Sequence, residues 1–285
     1  MNTADLAATS AAKQDRQDLT GQVALVTGAG RMRGVGHSVA LALAMRGCDI
    51  ALHGSGSSPD SWPDSERQAG WRGLDSVADQ IRALGRRAEP VIADLRARDQ
   101  VDAMVAKVVA DFGRLDILVN NAAAPRGDDR VPVVEMSDDI WLNIIDVKVN
   151  GAFYASRAVA RILIAQGQGG RIVNISSMAG KLGAPDRASY CVANAALQTL
   201  GACMARELAE HQVTVNSLCL GMVDTSRIDD MGRGEAFRAA VKARVPLNRV
   251  ATPEEIGEVV AFLCGESAGY ITGQSINVDG GVAIH

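Results

Sequence analysis

Short apolar runs rich in β-branched residues recur along the chain from residue 22, and longer stretches with helical apolar spacing separate them. QVALVT (22–27), DIALH (49–53), AEPVIA (88–93), LDILVN (115–120), RIVNIS (171–176), VTVNSL (213–218) and QSINV (274–278) are the expected strands. Helical segments between nearly all of them predict a mostly parallel sheet of about seven strands covered on both faces. Right-handed crossovers then give a single-domain, doubly wound α/β fold over 19–285. No linker, internal repeat or low-complexity tract divides it. The longest helical stretch opens at Ser137, a cap followed by two acids, and runs on without a break through ILIA. Residues 54–71, GSGSSPDSWPDSERQAGW, read as an insertion rich in turn-forming residues.

Composition narrows the function without naming it. With 47% hydrophobic and 22% charged residues the chain is an ordinary globular protein, and a net charge of -4 with no dense basic cluster disfavours nucleic acid as partner. Five scattered cysteines with no CxxC pair suggest neither a disulfide framework nor a metal site. No apolar run approaches the ~20 residues that span a bilayer. Residues 1–18 lack a signal-like apolar core and carry Asp5, Asp15 and Asp18, so they read as a flexible polar leader on a cytoplasmic protein.

Two places carry candidate chemistry. TGAGRMRGVG (27–36) joins the first strand to the first helix, where glycines let the backbone approach a pyrophosphate and helix-start amides donate to it. YCVAN (190–194) sets Tyr190 and Asn194 one helical turn apart on one face. A tyrosine that moves protons near neutral pH needs a nearby cation to favour its phenolate, and an amide brings no charge.

The chain from about residue 19 to 281 resembles the short-chain dehydrogenase/reductase family. The marks are TGAG (27–30), ADL (93–95), NNAA (120–123), ISS (175–177), Tyr190, LGMVDT (220–225), PLNRVATPEEIGEVVAFL and YITGQSINVDGG. The resemblance implies a Rossmann sheet and a nicotinamide dinucleotide wrapped by Gly28, Gly30, Gly34, Val35 and Gly36. It places Asp94 and Leu95 at the adenine, Asn120 and Ala122 along the passage to the nicotinamide, and Gly221, Val223 and Thr225 on its far side. Ser177 stands thirteen residues before Tyr190, the family's spacing for the serine that holds the substrate oxygen and the tyrosine that exchanges its proton.

Departures from the family pattern are informative. Met32 and Arg33 lengthen the glycine loop. The family's lysine, four residues after the tyrosine, is here Asn194. The family's helix asparagine falls seven residues after Trp141 and three before Gly151, on Lys148. Asn150 is two residues further, rotated by about 200° on an α-helix, and faces elsewhere. Lysine and asparagine have thus traded places, and a long stem from position 148 reaches toward the site empty at 194. A charge about 5 Å from the phenolate at an effective dielectric of about 20 is worth roughly 3 kcal/mol. The other reading makes Lys148 a solvated helix residue and the chain a repurposed homologue. Lys181 is a lesser candidate for the missing charge.

Members preferring NAD carry an acid at the end of the second strand. Here Gly54 and Ser55 stand there, with Arg31 and Arg33 in the lengthened loop, so NADP(H) is favoured over NAD(H). Asp60 or another acid of the insertion, folded back, would reverse that. The expected activity is NADP(H)-dependent interconversion of a ketone or aldehyde and an alcohol, with Ser177, Tyr190, Lys148 and Asn194 at the catalytic centre. The alternatives are a non-redox lyase or dehalogenase on the same fold, or a catalytically impaired nucleotide-binding homologue. The segment 221–245 is expected to cover the site, its basic side chains Arg227, Arg233, Arg238, Lys242 and Arg244 either greeting an acidic substrate or facing water. Met178, Leu182, Met222 and Met231 are its expected apolar wall. The resemblance also implies a homotetramer or dimer packed through the two long helices.

Overall fold

Neighbouring residues of the central strands point into two separate apolar layers, which is why those strands read as continuous hydrophobic runs. The computed structural model describes residues 17–284. In β1 (Val23–Thr27), Ala24 and Val26 face one layer while Val23 and Leu25 face the other. β4 (Ile117–Asn120) repeats this, with Ile117 and Val119 on the first side and Leu118 on the second.

The strands pair in parallel throughout, together with β2 (Asp49–Gly54), β3 (Ala88–Ile92), β5 (Gly170–Ser177), β6 (Val213–Leu220) and β7 (Ser275–Val278). Their order is β3-β2-β1-β4-β5-β6-β7. All seven expected strands are present, with ends shifted by at most two residues. Order reverses between β1 and β4, the switch point at whose carboxyl edge ligands bind in such sheets.

α1 (Val35–Met45), α3 (Leu74–Ala83) and α10 (Pro253–Cys264) cover the first face. On the other lie α4 (Arg98–Phe112), α6 (Gly151–Gln166) and α8 (Ala188–Leu208). Between β2 and α3 the insertion forms one 3₁₀ turn, Pro59–Ser61, and a short helix α2 (Asp64–Gln68). α5 (Asp138–Ile145) precedes α6, the four-residue α7 (Ala179–Leu182) follows β5, and α9 (Glu235–Arg244) lies within the expected cover. α10 carries a full capping box, in which Thr252 and Glu255 satisfy each other's backbone N–H.

The helix starting at Ser137, whose hydroxyl accepts from Ile140 N at 3.4 Å, continues without a gap to Gln166 as expected, with one irregularity the sequence did not announce, a π turn at Asp146–Asn150 between α5 and α6. An i→i+5 turn is costly in isolation and is found mostly at functional sites. Of the expected leader, 1–18, all but Gln17 and Asp18 lies outside the described residues. Those two are tied to the end of α1, Gln17 to Met45 O and Asp18 to the Arg46 guanidinium. Among the described residues no helix is long and apolar enough to cross a membrane.

Candidate active site

The glycine-rich turn sits at the carboxyl end of β1 and is held shut from several sides. Gly28 has φ +68°, and a Cβ there would stand 2.9 Å from Ala122 Cα; one at Gly36 would stand 2.6 Å from Gly28 O. Asn121, just after β4, donates its side-chain amide to Thr27 O and Gly28 O at 2.8 and 2.9 Å, and so fixes the turn against the switch point. α1 opens at Gly34 with no side-chain cap and no acid in its first turn. Its initial N–H groups are therefore free for an anion, the arrangement a dinucleotide pyrophosphate requires. Next to it, Thr27, Leu95, Asn120, Ala122, Val147, Lys148 and Ala152 line a narrow crevice.

The insertion folds back onto this loop. Glu66 on α2, buried, accepts from Met32 N at 2.9 Å and from the Arg31 guanidinium at 3.4 Å. Trp71 donates to Gly30 O at 2.8 Å and packs against the His37 ring, while Arg31 stands over Trp62 at 6.0 Å. Arg33 turns the other way, to Asp224 at 3.1 Å and Asp229 at 2.9 Å. The acid that folds back is Glu66; Asp60 stays exposed beside Ser58. Gly54 ends β2 against Leu74 and Ser55 is exposed. His53 bridges the Gly28 N–H and Ala93 O, and burial lowers its pKa.

Leu95 packs against Gly151, whose Cβ would stand 2.8 Å from it. Asp94 is gripped by the Arg96 guanidinium, whose hydrogen bonds hold its carboxyl below the usual range. The Asn120 side chain points inward to Ser156 and Asn174. Val35 begins α1. Gly221 donates to Val278 O at 3.0 Å, Val223 pairs with Ala251, and Thr225 is buried.

Lys148 sits on the π turn with 7% of its surface exposed. Its Nζ donates to Ile175 O at 2.7 Å and to Ala122 O at 3.3 Å. Burial, and then the Arg227 charge, lower its pKa to about 7. It lines a narrow recess together with Ala123, Ala124, Ile144, Tyr190, Ala193, Asn194 and Arg227. Asn194, buried on α8, donates its amide back to Tyr190 O at 2.9 Å. Ser177 ends β5, where its hydroxyl accepts from Ala179 N at 3.2 Å and faces Leu220 O at 3.4 Å. Asn150 bonds Asp146. Lys181 donates to Ser275 O at 2.8 Å and does not line this recess.

Two guanidiniums stand over the Tyr190 ring, Arg130 at 4.8 Å and Arg227 at 5.6 Å from its centroid. The sequence offered no signal for Arg130, which lies in the irregular segment after β4. Of the five basic residues in the expected cover only Arg227 reaches the recess; Lys242 and Arg244 face water. The apolar walls are alanine and isoleucine, in place of the methionines and leucine expected there.

Residues 28–283 match the family described as enoyl-(acyl carrier protein) reductase. The chain is 35% identical to a 3-oxoacyl-[acyl-carrier-protein] reductase of Synechocystis sp., over 93% of this chain and 98% of that protein. It is 33% identical to the 2-dehydro-3-deoxy-D-gluconate 5-dehydrogenase of Escherichia coli K12, over 92% and 96%. A solved short-chain type dehydrogenase/reductase from Mycobacterium marinum superposes with a TM-score of 0.82 at 32% identity, covering 95% of this chain and 99% of that one.

Proposed function

The chain belongs to the short-chain dehydrogenase/reductase family, and from that premise we propose that it interconverts a ketone or aldehyde and the corresponding alcohol with Tyr190 as acid/base. It is an NAD(P)-dependent oxidoreductase acting on CH–OH groups. The observation that carries the residue assignment is the buried Lys148 ammonium, which lines the same recess as Tyr190 and Asn194.

The free first-turn amides of α1 and the closed glycine turn would hold the dinucleotide pyrophosphate, and Asp94 and Leu95 the adenine. When bound, the nicotinamide supplies or accepts the hydride at the substrate carbon. Tyr190 gives its hydroxyl proton to the carbonyl oxygen during reduction and takes it from the alcohol during oxidation. The Ser177 hydroxyl, weakly engaged at 3.4 Å with Leu220 O, turns to hold that oxygen. Lys148 provides from the neighbouring helix the positive charge that position 194 lacks, and the guanidiniums over the ring add to it. Asn194 keeps a contact to the cofactor ribose.

NADP(H) is favoured over NAD(H): the acid that folds back, Glu66, is buried with one oxygen on Met32 N and the other on Arg31 rather than free for a ribose diol, β2 ends without an acid, and Arg31 keeps 38% of its side chain exposed beside Trp62. A cytoplasmic homo-oligomer, dimer or tetramer, completes this reading. The side chains of Phe153 and Ile164 on α6 and Val192 on α8 are exposed and available to a symmetry mate.

The test is nicotinamide absorbance with a panel of ketones, for the natural chain and for Lys148→Met. Turnover that falls about 100-fold in the variant, most in the oxidation direction, supports the assignment. Unchanged turnover and pH profile overturn it.

A further inference from the structure

The recess beside Tyr190 has an unusual charge balance. Lys148 and Arg227 both line it, no acid does, and its other walls are Tyr190, Asn194, alanine and isoleucine. Arg227 is half-buried, its guanidinium donates to the Ala124 carbonyl at 2.8 Å, and no carboxylate lies within ion-pairing distance of it among the described residues. Nearby guanidiniums differ: Arg233 in the cover is neutralised by Asp224 and Asp229, and Arg126 after β4 by Asp230 of the cover. Arg130, on the ring of Tyr190, is ion-paired with the buried Asp129 at 3.5 Å, while its Nη1 atom is buried without a hydrogen-bond partner.

Like charges converging on a small, largely apolar space oppose one another. The depressed pKa of Lys148, to which Arg227 contributes, is one sign of that opposition. An anion placed among them removes it. Guanidinium forks suit a carboxylate best, because two parallel N–H groups meet its two oxygens. The recess is narrow, so the molecule that enters it is small.

We propose that Arg227, backed by Arg130, forms an anion subsite beside Tyr190, and that the substrate is a small oxo acid, reduced to its hydroxy acid or formed from it. This deepens the oxidoreductase reading and rests on it for the chemistry, though not for the binding. The carboxylate also places a negative charge close to Lys148, which favours the charged ammonium that the proton exchange at Tyr190 uses.

The experiment compares pyruvate, acetoacetate and levulinate with their methyl esters, by kcat/KM with NADPH and by calorimetric binding of each acid to the cofactor-loaded enzyme. The expected result is a preference for at least one acid over its ester of about tenfold or more, the scale of one charge-assisted hydrogen bond. Arg227→Met is expected to bring that ratio near one, and Arg227→Lys to restore part of it. Arg227-dependent binding of an acid without turnover keeps the subsite and defeats the redox reading. Turnover in which esters equal acids, or an acid preference that Arg227→Met leaves intact, overturns the subsite and keeps the redox reading. Binding of none of the acids overturns it as well.

Discussion

The Lys148 ammonium donates to the Ile175 carbonyl at 2.7 Å, which ties the π turn to the strand that ends at Ser177. The lysine is thereby anchored between the helix that carries it and the Ile175 and Ala122 carbonyls, with only 7% of its surface exposed. Removing the ammonium leaves both the Ile175 and the Ala122 carbonyl without this donor.

If positions 148 and 194 exchange roles, returning both residues to the family's usual arrangement should preserve function. Lys148→Asn and Asn194→Lys alone are each expected to lower kcat/KM by about 100-fold, the range of a lost acid–base helper. The double variant is expected to recover to within about tenfold. A double variant no better than the worse single one contradicts the exchange.

The same lysine sets a pH dependence of stability. Its pKa falls from 10.5 unfolded to about 7 folded, so between those values the unfolded chain binds the extra proton and stability rises with pH. Below about 7 both states are protonated and the destabilisation is fully present. Relative to Lys148→Met, the natural chain should gain up to about 1.4 kcal/mol per pH unit across this window. Denaturant melts at pH 7, 8 and 9 measure it, and parallel curves for the two proteins contradict it.

Glu66 binds the lengthened glycine loop through Met32 N and Arg31. Glu66→Ala leaves the part-buried Met32 N–H without its acceptor, at a cost of about 1 kcal/mol. Cofactor affinity should fall more than kcat, and Glu66→Gln should restore part of it. Equal loss of stability with unchanged cofactor affinity gives Glu66 a purely structural role.

Arg31→Ala and Arg33→Ala separate the two basic residues of that loop. Arg31, paired with a single acid, Glu66, at 3.4 Å and standing over Trp62, is expected to govern the preference for the 2′-phosphate, and its removal should lower the NADP/NAD ratio of kcat/KM by about tenfold. Arg33, engaged by Asp224 and Asp229, is expected to change the ratio little and the melting temperature more. A ratio unmoved by Arg31→Ala counts against NADP(H).

The strands were legible because a sheet covered on both faces makes every position of a run such as VALVT apolar, and because turn residues bound each run. Ser177 and Tyr190 were legible from their thirteen-residue separation in the family pattern, and Lys148 from its offsets to Trp141 and Gly151. The π turn was not: DVKVN has no composition that distinguishes an i→i+5 turn from an ordinary one, and burying Lys148 against Ile175 is a tertiary event. Glu66 is 34 residues from the amide it binds, so an acid in a polar insertion looked no different from its exposed neighbours. Arg130 lies where no periodicity exists to say which way a side chain points.

Arg33 has a further role, because its carbonyl receives the Ser226 N–H at 3.0 Å while its guanidinium holds Asp224 and Asp229. With the glycine loop proposed as the phosphate grip and the 221–245 segment as the substrate doorway, the two would share a single latch at Arg33. Swinging the doorway outward pulls on the dinucleotide's cradle, so nucleotide should load before its co-substrate and depart after the product, and loosening the latch should scramble that sequence of arrivals.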